Sequence, residues 1–319
     1  MNDKPFDPQE DASGARISFL SRIRGLFRRK AFIIPGSALL CIAGFLIIYP
    51  FFITGKDSIQ SGGKKGFYIS ASALKVMSLN IAHGRGRGLH QLRQKKADFK
   101  VNLGRIAELI KREGPAVIAF QEADGPSFWS GDFNHVEYLA QKTEYPYFCR
   151  GEHVKGFGLS YGTAVISGIK LRDAVSMTFS PSALTPPKGF VVCTVEYPSK
   201  RDAEIDIVSV HLDYGRSSVR KNQVRELITH LSKRKKPLVV MGDFNCEYND
   251  REKTLRTLVQ ELNLKAYSPD SEDLATFPRF GKRLDWILIS QGLEFTDYRV
   301  LPDTVSDHSS IIAEIVLKK

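Results

Sequence analysis

Pro237-Leu238-Val239-Val240-Met241-Gly242-Asp243-Phe244-Asn245 is the stretch that decides how this 319-residue chain is read. The proline-led apolar run 237–241 predicts a buried strand. Asp243 and Asn245 sit where that strand should end. Residues two apart on a strand share a face, so both can converge on one ligand. Layered α/β proteins place their chemistry at such strand ends. Alone, the tetrapeptide fits a surface turn equally well, so the other strand ends carry the decision.

Working outward, five more apolar segments bring polar groups of a coherent kind. Lys75 to Leu79 delivers Asn80, and Val117 to Phe120 delivers Gln121 and Glu122. Ile205 to Val210 delivers His211, with Asp213 beyond. Leu284 to Leu288 carries Asp285 near its start, where a buried carboxylate needs a partner. Ser306-Asp307-His308 precedes the apolar run 311–317. Helical periodicity marks 98–112, with Phe99, Leu103, Ile106, Leu109 and Ile110 on one face, and helices are also expected at 135–143, 219–233 and 252–262. Shorter strands crowd into 146–150, 161–167, 171–179, 189–197 and 293–299. Many strands with few helices between them predict an α/β (α+β) domain of two packed sheets flanked by helices.

Taken singly, each polar residue reads as a turn residue, a solvated acid or a structural histidine. Six at successive strand ends read as a functional cluster. Carboxylate and amide oxygens without a Cys or His cluster suit a hard cation, Mg²⁺ or alternatively Mn²⁺ or Ca²⁺. Such a cation neutralises phosphoryl and leaving oxygens. A histidine beside a carboxylate is oriented and kept basic, or becomes an imidazolium facing phosphate. An Asp-x-Asn pair can position a water for in-line attack. Cys41, Cys149, Cys193 and Cys246 form no CxxC pair, which excludes a recognisable zinc or disulfide framework. Cys246, beside Asn245, reads as a structural cysteine or a reactive thiol.

The formal charge of +11 favours a phosphate-bearing partner, an anionic membrane or nucleic acid without choosing among them. Much of the excess lies in the first 112 residues. Residues 1–30 form a polar, then basic tail, and Ala31 to Ile53 contain no charge over 23 residues. That length exceeds the core of a cleaved signal peptide and suffices to span a bilayer as a helix. The expectation is an uncleaved transmembrane anchor. Six Lys or Arg precede the span within 15 residues, and Lys56, Lys64 and Lys65 follow it. This bias predicts a cytoplasmic N-terminus and a large domain outside, periplasmic in a bacterium with an inner membrane. Residues 54–73 read as a flexible tether and 74–319 as the catalytic domain.

Met77-Ser78-Leu79-Asn80, Ala119-Phe120-Gln121-Glu122, Val210-His211-Leu212-Asp213, Met241-Gly242-Asp243-Phe244-Asn245, Arg283-Leu284-Asp285-Trp286-Ile287-Leu288 and Ser306-Asp307-His308 form an ordered set. In identity, order and spacing it resembles the endonuclease/exonuclease/phosphatase superfamily of metal-dependent phosphoesterases, with a deoxyribonuclease I-like fold. The resemblance covers residues 74–319. It implies a four-layered sandwich of two mainly antiparallel sheets with the site at one end. It implies Glu122 as principal metal ligand, assisted by Asn80 and Asp307. His308 would pair with Asp285 as general base or phosphate-facing acid. Asp243 and Asn245 would orient the nucleophilic water and the phosphate, and His211 would contact a phosphoryl oxygen or the leaving group. Tyr161 matches a phosphate-contacting tyrosine, whereas Thr163 stands where asparagine is common.

Fold does not settle substrate within this superfamily. The anchor and short tether favour a lipid head group, since a 20-residue flexible tether reaches only about 25 Å on average. Aromatic residues in 125–133 (Phe128, Trp129, Phe133) fit either lipid contact or a core. The alternative is a nuclease, with Arg85, Arg87, Arg93, Lys95, Lys96 and Lys100 tracking a phosphate backbone. No protein partner is indicated.

Overall fold

The computed structural model of the chain describes residues 58–61 and 73–318, apart from 89, 184 and 201. The expected basic tail, the apolar span 31–53 and most of the expected tether lie outside these residues. Among the described residues no helix is long and apolar enough to cross a membrane.

Two sheets are stacked. The first is ordered β1 (Ser58–Ser61), β4 (Tyr147–Gly156), β5 (Leu159–Ser167), β3 (Val117–Asp124), β2 (Leu74–Asn80), β13 (Ile311–Leu317), β12 (Leu293–Val300). The second is ordered β10 (Leu264–Ala266), β11 (Asp285–Ser290), β9 (Leu238–Asp243), β8 (Glu204–His211), β7 (Gly189–Glu196), β6 (Arg172–Thr178). Each sheet contains one parallel pair, β2–β3 and β8–β9, and is otherwise antiparallel. Parallel neighbours need a crossover. Helix α1 (Lys96–Glu113) supplies the first and α3 (Ser217–Leu231) the second. The remaining α-helices among the described residues are α2 (His135–Thr143) and α4 (Thr254–Glu261).

Helix α1 begins where Asp98 accepts the Lys95 N–H at 2.8 Å. It ends where Gly114, at φ +60°, returns its N–H to the Ile110 carbonyl ahead of Pro115. The strands show why four layers form. Val76, Ala119, Ile207, Val239, Met241 and Ile287 face inward between the sheets. Their alternates Met77, Leu79, Ile118 and Phe120 pack outward under α1 and α2. Val208, Val210, Val240 and Leu288 pack outward under α3 and α4. Sheets apolar on both faces have to be covered on both, which gives the expected helix–sheet–sheet–helix sandwich.

Within the segment read as a tether, Ser58–Ser61 forms an edge strand antiparallel to Tyr147–Arg150. Ser-Ile-Gln-Ser has a single apolar residue, and an edge pairing made by the main chain leaves little side-chain signal in sequence.

Candidate active site

Period-two alternation carries the site. Along the inner face the apolar run gives way at one end to Ser78, Gln121 and Ser209, and then to Asn80, His211, Asp243 and Asp285. Gln121 donates to Ser209 at 3.1 Å, and Ser209 donates to the Phe120 carbonyl at 2.9 Å, joining the sheets just below the site. Register aligns the next residues: His211 pairs with Asp243 on the parallel strand, and Asp285 pairs with Asp243 on the antiparallel one. Gly242 lets these strands close up. It has φ +150°, and a Cβ there would lie 1.9 Å from the Val210 carbonyl oxygen.

Both oxygens of Asp243 are held. Asn80 Nδ2 donates to Oδ2 at 3.0 Å, and the Asn245 N–H donates to Oδ1 at 2.9 Å. Asn245, at φ +50°, donates its amide to the Leu212 carbonyl at 3.1 Å. His308 Nδ1 donates to Asp285 Oδ2 at 2.8 Å, and its Nε2 lies 3.8 Å from Asp243 Oδ2. Burial opposes charging of His308, but Asp285 and Asp243 outweigh it and push its pKa up to about 10. Burial, reinforced by Asp285, raises Asp243 to about 7 against the pull of His308 and Asn80. The pair expected from the sequence is therefore an imidazolium–carboxylate facing a carboxyl poised near neutrality.

Glu122 arrives by a bulge. Simple alternation would send it outward with Ile118 and Phe120. The ladder to β5 instead shifts between Gln121 and Ala123, and Glu122 takes φ +50°. Cations then surround it. His83 Nε2 lies 3.3 Å from Glu122 Oε2, Arg85 Nη1 donates to that oxygen at 3.4 Å, and Lys188 Nζ lies 3.8 Å from Oε1. Burial would raise the Glu122 pKa, but His83, Lys188 and Arg85 together hold it well below the carboxylate range. Arg85 also donates through Nη2 to Asp307. Thus Glu122 and Asp307 converge on one guanidinium, while Asn80 Oδ1 accepts the Ala82 N–H at 3.0 Å.

These three residues offer only oxygen donors, and two of them are already disposed about one positive charge. They fit a hard divalent cation. Asp243, Asp285 and His308 also present ligand atoms within 4.8 Å of one another. Within that trio His308 is already engaged with Asp285 through Nδ1.

His211 Nε2 lies 3.4 Å from Asp243 Oδ2. Burial and neighbouring Lys188, 3.2 Å from its Nε2, drive its pKa well below the ordinary value and keep it neutral. Tyr161 lines the opposite wall, edge-on to His83 at 4.9 Å and near Trp129 at 5.4 Å. Thr163 accepts or donates a hydrogen bond with buried His153 at 2.9 Å. Asp213 stands apart, fixing the turn before α3 through the Gly215 and Arg216 N–H groups.

Sequence reasoning missed His83, Asp124 and Lys188 as site residues. His83 Nδ1 is 2.7 Å from Asp124 Oδ1, a carboxylate that also accepts from Trp129 and Ser130. The Asn80–His83 spacing was available as a signal; Lys188, in an irregular loop, offered none. Trp129 is half-buried and tied to Asp124, and Phe133 packs on His135 and Tyr138, leaving Phe128 exposed. Cys246 is buried and its thiol is pushed up to about 12, the structural reading of the two.

Over residues 77–308 the sequence matches the Endonuclease/Exonuclease/phosphatase family. The chain belongs to this family. The fold recurs in an endonuclease/exonuclease/phosphatase from Beutenbergia cavernae DSM 12333, at 20% identity and TM-score 0.62, covering 77% of this chain and 72% of that one. It recurs in the human nocturnin catalytic domain with bound sulfate anion, at 18% identity and TM-score 0.53, covering 82% and 98%. A mannosyl-6-phosphatase from Bacteroides thetaiotaomicron VPI-5482 shares it at 16% identity and TM-score 0.56, covering 76% and 100%. No curated protein matches the sequence. Members of the endonuclease/exonuclease/phosphatase family are hydrolases acting on phosphoesters.

Proposed function

We propose that this chain is a membrane-anchored, divalent-metal-dependent phosphoesterase that hydrolyses a lipid head group by in-line attack of water. The observation that carries the chemistry is the facing of Asp243 by the His308–Asp285 pair. Asp243, raised to about 7, is matched to accept the proton of an attacking water at neutral pH. Asn80 and Asn245 fix the rotamer in which it does so. The His308 imidazolium supplies positive charge and a proton where phosphoryl oxygen accumulates charge. His211 and Tyr161 line the walls as further phosphate contacts. A cation bound by Glu122, Asp307 and Asn80, Mg²⁺ being our choice, would neutralise phosphoryl oxygen charge.

The lipid assignment rests on position. Strand β1 runs antiparallel to β4, whose far end leads into Tyr161, so the chain enters the domain from the catalytic end. Four residues separate Ile53 of the apolar span from Ser58, a reach of about 18 Å at most. That connection favours a catalytic end held near a bilayer, with the domain on the outer side and the N-terminus in the cytoplasm. A nuclease is the second reading, favoured by exposed Arg87, Arg93, Lys95, Lys96 and Lys100 beside the site. The deciding experiment gives the detergent-solubilised full chain Mg²⁺ and a panel of sphingomyelin, phosphoinositides, glycerophospholipids, DNA and RNA. Lipid turnover is expected. Preferential cleavage of nucleic acid, falling steeply with salt, would replace the lipid reading, and inertness toward every ester would overturn both.

A further inference from the structure

A second chamber adjoins the catalytic groups, and the mechanism above leaves it unused. A cavity of about 550 Å³ is lined by Arg85, Arg87, Phe277, Pro278, Arg279 and Asp307, among others. It borders the reaction centre through two of its lining residues. The Phe277 ring lies 4.9 Å from the His308 ring, and Arg85 joins Asp307 to Glu122. Its charges do not cancel. Asp307 is engaged by Arg85, and Asp303, also on the wall, is held by Arg112 at 2.7 and 2.9 Å. Arg87 and Arg279 have no carboxylate partner among the described residues, and both are exposed. Two guanidiniums without a carboxylate partner, that of Arg279 lying 5.4 Å over the exposed Phe280 ring, make an anion site, because the guanidinium fork matches phosphate oxygens. The volume is that of a small-molecule pocket, not of a track for a polymer.

We propose that Arg87 and Arg279 bind a second phosphate of the substrate, set apart from the scissile one. The substrate class becomes a small head group bearing two phosphates. This rests on the phosphoesterase reading and narrows it. The shared chemistry, a bisphosphate, can be presented by a lipid or by a soluble molecule.

The test is calorimetric binding to the detergent-solubilised full chain, which needs no turnover. The soluble pair is fructose 1,6-bisphosphate against fructose 6-phosphate. The lipid pair is dioctanoyl phosphatidylglycerol phosphate against dioctanoyl phosphatidylglycerol. The second phosphate is expected to tighten binding by about tenfold or more in at least one pair. That preference should fall below about threefold in Arg87→Ala/Arg279→Ala. It should survive in Lys233→Ala/Lys235→Ala, which removes two exposed cations at the opposite end of β9. Preference in the lipid pair alone identifies a lipid, and preference in both identifies the bisphosphate itself. Absence of preference, or its persistence in the Arg87/Arg279 variant, overturns the proposal. So does oligo(dT) binding more tightly than either bisphosphate and losing that affinity in the same variant. Hydrolysis of bis(p-nitrophenyl) phosphate, run in parallel, reports separately on the catalytic reading: its loss with the preference intact sinks that reading and not this one.

Discussion

Asp285 stands directly opposite Asp243 across the β9–β11 ladder, and the single imidazolium of His308 serves both carboxyl groups. Two buried acids side by side depend on that cation. Asp285→Asn keeps the shape but loses the charge that holds His308 protonated. Turnover of bis(p-nitrophenyl) phosphate is expected to fall by about 10²–10⁴-fold, with the circular dichroism spectrum unchanged. Activity within about threefold of wild type would remove the pair from the mechanism.

Arg85 lies between the two carboxylates expected to hold a metal. Its guanidinium repels and competes with any cation placed there. Arg85→Ala is therefore expected to tighten Mn²⁺ binding by about two- to tenfold, and Glu122→Gln to weaken it by about tenfold or more. Titration calorimetry on chelator-stripped protein measures both. Unaltered affinity in Glu122→Gln would move the metal elsewhere.

Gly242 packs its backbone on the Val210 carbonyl, where a methyl group has no room. Gly242→Ala is expected to cost about 2–3 kcal/mol of stability through strand displacement and an unfavourable φ. Urea unfolding would show a lower midpoint at constant slope. A change under about 0.5 kcal/mol would mean that the strands separate easily.

Away from the site, Glu152 on β4 accepts from Arg150 and Ser160, each at 2.6 Å, and from Lys155 at 2.8 Å. Burial works against ionisation, yet these partners depress its pKa from 4.5 to about 2. The unfolded chain then binds the extra proton between those values. The stabilisation is complete above pH 4.5 and is lost as pH falls through about 2. Melting temperature followed from pH 6 to pH 2 should fall less steeply in Glu152→Gln than in wild type. Parallel curves would place the acid sensitivity in other carboxylates.

Much of this centre could be read from the chain because alternation is a local rule. Asn80, His211, Asp243 and Asp285 fall on the inner face once their strands are recognised, and their apolar neighbours reveal the strands. Glu122 was legible as a strand-end acid, but not as a residue that a bulge redirects, since the extra residue is defined only against β5. His83 and Lys188 act through contacts made across the sheets, and sequence separation hides such contacts. Strand β1 escaped because main-chain pairing at an edge needs no distinctive side chains. The expected span 31–53 rests on length and charge alone and lies outside the described residues.

The position of β13 has a consequence for how the protein comes into being. It lies between β2 and β12, so β2 waits for β13, most of the domain later in sequence, before its outer edge is paired. Ser306 closes the same gap, donating to the Asn80 carbonyl at 2.7 Å across 226 residues of sequence. During synthesis β2 therefore presents an open hydrogen-bonding edge until Ile311–Leu317 is available, a template for pairing with other chains. A chain cut short before Ile311 would have that edge permanently bare. The expected fate of such a chain is aggregation, not an inactive but folded protein.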